Sequence, residues 1–185
     1  MKQKKKIILI GLPSSGKTQI GTTLAQILSY EFYDTDSLII EKCNEKENRV
    51  YTTIQEVFSF LGEKNFRDLE KLTIKDFFES KNNINAVIST GGGVIIDKDN
   101  RTILKDKGII IFINTPINII KSRIQSQPER PLIGKNISSR LDQLDSERKP
   151  IMESLAHVII DGSGSVEDIC SEIISQLDLN SSKLY

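Results

Sequence analysis

The sequence predicts an α/β fold built on a parallel sheet, and three observations predict it. Short apolar runs rich in β-branched residues recur along the chain, and amphipathic stretches of helical length separate them. The runs are nearly continuous rather than alternating, as strands buried on both faces require. Strands that alternate with helices form βαβ units, and such sheets bind ligands at the carboxyl ends of their strands. At 185 residues the chain suits one domain with a substantial core, expected to span 1–178, with 179–185 as a flexible tail.

The elements follow in order. "KIILIG" (6–11) reads as the first strand, preceded by a basic "KQKKK" (2–6) that reads as its solvated start. "EFYD" (31–34), "AVIST" (86–90), "GIIIFIN" (108–114) and "HVIID" (157–161) read as the others. Helical patterns occupy 17–29, 63–80, 98–107, 116–126 and 165–177. The segments "CNEKENRVYTT" (43–53) and "QPERPLIGK" (127–135), with the tail after Asp178, read as loose. Repeats and low-complexity tracts are not evident.

With 25 basic and 25 acidic side chains the formal charge is zero, so no global field favours nucleic acid or an anionic membrane. Cys43 and Cys170 lie far apart without metal-binding spacing and read as reduced thiols. The single histidine, His157, reads as a strand residue, and one imidazole cannot build a triad or metal cluster unaided. No apolar segment approaches the roughly 18 residues of a spanning helix. The expectation is a cytoplasmic monomer acting on a small molecule, with no nucleic-acid or membrane partner.

"GLPSSGKT" (11–18) follows the first strand, opens the first helix and fits G-x-x-x-x-G-K-[ST]. In this pattern backbone N–H groups and a helix N-terminus converge on an anion, and the helix dipole adds favourable potential. Ser14, Ser15, Gly16, Lys17, Thr18 and Gln19 are therefore expected to hold nucleotide phosphates. Lys17 should reach the β- and γ-phosphates, and the Thr18 hydroxyl should ligate Mg²⁺. The alternative is a glycine turn capping a helix, with Lys17 at the surface.

"FYDTD" (32–36) places Asp34 and Asp36 at the carboxyl end of the second strand, on the side of the sheet that carries the loop. In extended chain the two project to one face. One carboxylate can hold Mg²⁺ or its waters while the other accepts a hydrogen bond from a hydroxyl nucleophile. The competing reading makes Asp36 the N-cap of a helix starting near Ser37.

With the loop, "FYDTD", "FR" (66–67), "STGGG" (89–93) and "RPL" (130–132) all in order, the chain resembles the shikimate kinases from about Ile7 to Ala156. The patterns "DTDSLIIEK", "EVFSFLGEKNFRDLE" and "VISTGGGVI" carry the likeness between those points. The resemblance implies a three-layer α/β/α P-loop kinase fold with a five-stranded parallel sheet, substrate-binding helices at about 37–80 and a mobile lid at about 124–136. It also implies ATP- and Mg²⁺-dependent phosphorylation of the shikimate 3-hydroxyl. Carried over by position, Asp36 would hold the substrate hydroxyls and serve as base, and Asp34 would orient Mg²⁺ through water. Arg67 and Arg148, the latter in "SERKPIM", would grip the substrate carboxylate. Gly91, Gly92 and Gly93 would let backbone approach the ring, Arg130 would reach the ATP phosphates from the lid, and Arg123 would lie against the adenine.

Arginine suits these tasks because its planar fork matches carboxylate and phosphate. Plainer readings stand beside them: an i,i+4 surface pair of Arg67 with Glu63, a solvated face for Arg148 next to Glu147, and a tight turn for the glycines. Several positions depart from the family pattern. Ser14 stands where glycine is frequent, Met152 where tyrosine is common, the 42–53 segment is longer than usual and lacks a typical glycine, and "DGSGSVED" (161–168) lacks an arginine near adenine. Two rivals remain open, a related small-metabolite kinase such as a gluconate kinase and a non-catalytic nucleotide-binding module.

Overall fold

The computed structural model describes residues 6–81, 84–126 and 137–180. Five strands, β1 (Lys6–Ile10), β2 (Glu31–Asp34), β3 (Ala86–Ser89), β4 (Ile109–Asn114) and β5 (Val158–Asp161), form one sheet in the order β2-β3-β1-β4-β5. Every pairing is parallel, with Ile8 opposite Ile88 on one side and Ile110 on the other. Among the described residues seven α-helices surround the sheet: α1 (Lys17–Leu28), α2 (Thr35–Glu47), α3 (Ile54–Ser80), α4 (Lys98–Lys107), α5 (Ile117–Gln125), α6 (Ile137–Leu155) and α7 (Val166–Asn180).

Burial on both faces explains the continuous apolar runs of the inner strands β1, β3 and β4, whereas β5, at the sheet edge, alternates and leaves Ile159 exposed. Side chains alternate along a strand, so Ile8, Ile10, Ile88, Ile110 and Phe112 face one core, with Ile74, Phe78 and Leu104 of α3 and α4 packed on it. Ile7, Leu9, Val87, Ile111 and Ile113 face the other, covered by Leu24 of α1 and Ile173 of α7. This is the three-layer arrangement expected. A third, smaller cluster joins α2 and α3 through Ile39, Cys43, Val57, Phe66 and Leu69.

Several expectations need correction. The segment 43–53 is not uniformly loose, because α2 runs to Glu47 and ends at Asn48 in the left-handed conformation. Beyond it Asn44 both donates to the Tyr51 carbonyl (3.0 Å) and accepts from its N–H (2.7 Å), which ties the following turn down. The helix expected at 63–80 begins earlier, at Ile54, behind a Thr53–Glu56 capping box. Gly62, at φ 71° and ψ 166°, breaks it, so the expected helix is its second arm. His157 precedes β5 rather than belonging to it; its N–H donates to the Ile110 carbonyl at 2.8 Å, and its imidazole Nδ1 accepts from the Ile110 N–H at 2.9 Å. Lys6, the last residue of the basic start, is buried as the first residue of β1. Arg130 and most of the 124–136 lid lie outside the described residues, as does the tail beyond Asn180.

Candidate active site

The loop 11–16 joins β1 to α1 at the carboxyl edge of the sheet, and its backbone takes two residues into left-handed space. Gly16, the N-cap of α1, has φ 98°. Ser14 has φ 61°, a conformation that costs an L-residue with a Cβ roughly 1–2 kcal/mol and costs glycine little. That is the physical reason glycine is frequent at this position, and a serine accommodates the same turn. Lys17 is buried and donates from Nζ to the carbonyls of Gly11 (3.0 Å) and Leu12 (2.7 Å) and to Ser15 Oγ (3.3 Å). Burial lowers its pKa to about 8 against the raising influence of Asp36 and Asp34, with Arg148 lowering it further.

The two aspartates have separate jobs, and the geometry differs from the extended-chain expectation. Asp34, not Asp36, is the N-cap of α2, its Oδ1 accepting from the Asp36 N–H at 2.9 Å. The helix starts at Thr35, so Asp36 lies in its first turn and reaches the site from a helix rather than a strand. Asp34 Oδ2 accepts from Thr18 Oγ1 at 2.8 Å, with Ser89 Oγ 3.5 Å from the same hydroxyl. These hard oxygen donors at a phosphate loop fit Mg²⁺, which is bound by one or two carboxylates, hydroxyls and phosphate oxygens while keeping water. Asp36 is largely buried, and its pKa rises to about 6. Burial is the main cause, followed by Asp34; Lys17 and Arg67 oppose the rise, and Glu70 adds to it.

The glycines after β3 are explained by what sits against them. A Cβ on Gly91 would lie 2.3 Å from Asp36 Oδ1, and one on Gly93 2.6 Å from Arg67 Nη1. Each glycine thus admits one functional side chain, which a tight turn alone would not require. The Gly91 N–H donates to Thr35 Oγ1 at 2.8 Å, and the Gly92 carbonyl accepts from Arg148 Nη1 at 2.8 Å. Arg148 is therefore not a solvated-face residue: it is half-buried, and burial and the neighbouring Arg67 both lower its pKa.

Arg67 does not pair with Glu63. It pairs with Glu70 at i+3, Nη1 to Oε2 at 2.8 Å, and Glu70 is buried while Glu63 is exposed. Burial raises the Glu70 pKa against the opposing Arg67, so this carboxylate depends on the guanidinium it orients. The sequence reading passed over Glu70, although its spacing from Arg67 is a readable helix pair.

Ser14, Gly16, Lys17, Thr18 and Gln19 line one cavity of about 750 Å³ with Asp34, Asp36, Gly91, Gly92 and Arg123. Ile54 and Gln55, from the first arm of α3, also line it, a contribution the sequence reading did not assign. Arg67 and Arg148 do not line it and stand behind the glycines. Arg123 donates from Nη1 to the Ser15 carbonyl at 2.9 Å, and Val166 and Ile169 add apolar lining.

A phosphate loop opening onto a polar cavity at the edge of a parallel sheet, with a perturbed carboxylate across from the lysine, defines a nucleotide-binding protein of the P-loop class. The comparisons narrow that class. The shikimate kinase family model matches residues 13–178. A shikimate kinase from Dechloromonas aromatica is 36% identical over 164 residues, covering 88% of this chain and 84% of that protein. The structure superposes with a TM-score of 0.81 on a shikimate kinase from Acinetobacter baumannii solved in complex with shikimate, at 33% identity and covering 98% and 96% of the two chains. A gluconokinase from Sinorhizobium meliloti shares the fold at a TM-score of 0.59 and 16% identity, which speaks to architecture alone. The chain belongs to the shikimate kinase family, and it is a kinase.

Proposed function

We propose that the protein transfers the γ-phosphoryl group of ATP to the 3-hydroxyl of shikimate, giving shikimate 3-phosphate and ADP. The observation that carries this reading is one cavity lined by both the phosphate loop and Asp36, with Arg67 and Arg148 held behind its wall against Gly93 and the Gly92 carbonyl. Arg67 and Arg148 bring two positive forks to one place, which suits a single carboxylate on the acceptor. Asp36, deprotonated above pH about 6, orients the attacking hydroxyl and takes its proton as the oxygen bonds to phosphorus. The bond from the γ-phosphorus to the bridging oxygen breaks, and ADP leaves with the electron pair. Lys17 and the loop N–H groups stabilise charge on the phosphoryl oxygens. Mg²⁺, where Thr18 and Asp34 would hold it, supplies further neutralisation of phosphate charge. Arg123 is assigned to the adenine on family resemblance. Arg130 is assigned to the phosphates on family resemblance.

Among the described residues no helix is long and apolar enough to cross a membrane. Action in the cytoplasm, as a monomer, is part of the proposal.

The test is ADP release with ATP and Mg²⁺ and either shikimate or gluconate. Shikimate-dependent ADP and a phosphorylated ring are expected. Turnover with gluconate instead would move the protein to the rival acceptor, and ADP release indifferent to both would remove the acceptor assignment.

Arg148→Ala separates the clamp from a surface role. A charge-assisted contact is worth about 1.5–3 kcal/mol, so the KM for shikimate should rise on the order of 10- to 100-fold while the KM for ATP stays near wild type. An unchanged shikimate KM would detach Arg148 from the acceptor.

A further inference from the structure

The Ser15 carbonyl of the phosphate loop accepts two side-chain hydrogen bonds, both from residues outside the loop. Thr115, the residue after β4, donates to it from Oγ1 at 2.9 Å, and Arg123 of α5 donates from Nη1 at 2.9 Å. Thr115 is buried, does not line the cavity, and has a family-independent reason for its geometry. A Cβ on Gly162, just after β5, would lie 2.0 Å from the Thr115 hydroxyl, so that glycine leaves the hydroxyl its place beneath the loop. The same hydroxyl lies 3.5 Å from the Gly162 carbonyl, a longer contact that leaves the Ser15 carbonyl as its principal acceptor.

A peptide unit is planar, and in the trans form its C=O and N–H point in opposite directions. Holding the Ser15 carbonyl back toward β4 and α5 therefore turns the Gly16 N–H the other way, toward the cavity that Gly16 lines. Gly16, at φ 98°, tolerates rotation of this peptide more readily than any other residue type, so the orientation must be imposed from outside. We propose that Thr115 is a positioning residue for nucleotide phosphate binding, acting through the Ser15–Gly16 peptide that its hydroxyl anchors. Arg123 supplies the second anchor, from α5.

This inference rests on the phosphate-binding half of the proposed function and not on the identity of the acceptor. It is tested by the affinity of MgADP for the free enzyme, measured calorimetrically without acceptor. Thr115→Val keeps the shape and removes the donor; it should weaken MgADP about tenfold, the effect of one hydrogen bond of roughly typical strength. Thr115→Ser, which restores the donor, should return the affinity to within about twofold of wild type on the same scale. The shikimate KM should not move in either variant. A packing role alone would lower the Tm of Thr115→Val and leave its MgADP affinity intact. Unchanged affinity in folded Thr115→Val, or no recovery in Thr115→Ser, would overturn the assignment. If Thr115→Val does not fold, Thr115→Ala, which also lacks the donor, gives the same reading. A wild-type protein that fails to bind MgADP would overturn the proposed function as well, so the two failures are distinguishable.

Discussion

Asp36→Asn is expected to lower turnover by about a thousandfold or more, the range set by losing a general base together with its positioning of the hydroxyl. Nucleotide binding should survive, because the loop and Lys17 are untouched. The structure adds a prediction that a simple loss of function would not. The Asp36 pKa is raised from 3.8 to about 6 chiefly by burial, so the charged form is disfavoured by the fold. A folded pKa above the unfolded one means the native state binds more protons between those values, and stability falls as pH rises from about 4 through about 6. Above that window the carboxylate costs the fold on the order of 3 kcal/mol. Neutral asparagine escapes this cost, so the inactive variant should have a higher Tm than wild type at pH 7.5, by several degrees for a domain of this size. At pH 4 the difference should shrink. A destabilised Asp36→Asn at pH 7.5 would show that the carboxylate stabilises the fold, and near-normal turnover would remove it from the base role.

The same shift sets the acid limb of the wild-type profile. Values of kcat/KM for shikimate should fall below pH about 6 as Asp36 protonates. An ordinary exposed aspartate would hold that limb near pH 4.

The parts of the fold that were legible in the sequence are those where one local pattern had one structural solution. A strand buried on both faces must be apolar along its whole length, which made β1, β3 and β4 visible, whereas the edge strands β2 and β5 are partly exposed and "EFYD" gave a thinner signal. The phosphate loop was legible because its chemistry requires a contiguous string. The acceptor side was harder to read, because it is assembled from residues distant in sequence. Arg148 could be read as solvated next to Glu147 until α6 is seen to bring it against the Gly92 carbonyl. Arg67 had two acidic neighbours at helical spacing, and the choice fell to Glu70 because the break at Gly62 leaves Glu63 at an exposed helix start. The resemblance placed helices at about 37–80, but residue pattern alone did not mark the arm 54–61, although T-x-x-E at 53–56 is a readable capping box, since the polar segment ahead of it masked the start. Helix α2 buries Ile39 and Cys43 with Thr35, too narrow a stripe to announce itself against "EKCNEKE". Which aspartate caps that helix depended on a two-residue difference in where it begins. Sequence periodicity does not fix boundaries that closely.

Lys17→Met should reduce kcat by about two to three orders of magnitude, the loss typical of removing one donor aimed at developing charge. Methionine fills nearly the same volume without the ammonium, so the effect is electrostatic rather than a cavity. The wild-type lysine, with a pKa lowered to about 8 by burial, should give kcat/KM for ATP a basic limb near pH 8 that the variant lacks. A second consequence follows from the coupling between the two groups. The Lys17 charge is the larger of the two influences that hold the Asp36 pKa down, Arg67 being the other. Removing it should move the acid limb of the residual activity above pH about 6, as the carboxylate loses its opposing charge. One substitution on the phosphate side would thus shift the titration of a group on the acceptor side, which requires the two to face each other across one cavity. An acid limb that stays in place while the basic limb disappears would mean that Lys17 and Asp36 are electrostatically independent, and the shared cavity would lose its role in the chemistry.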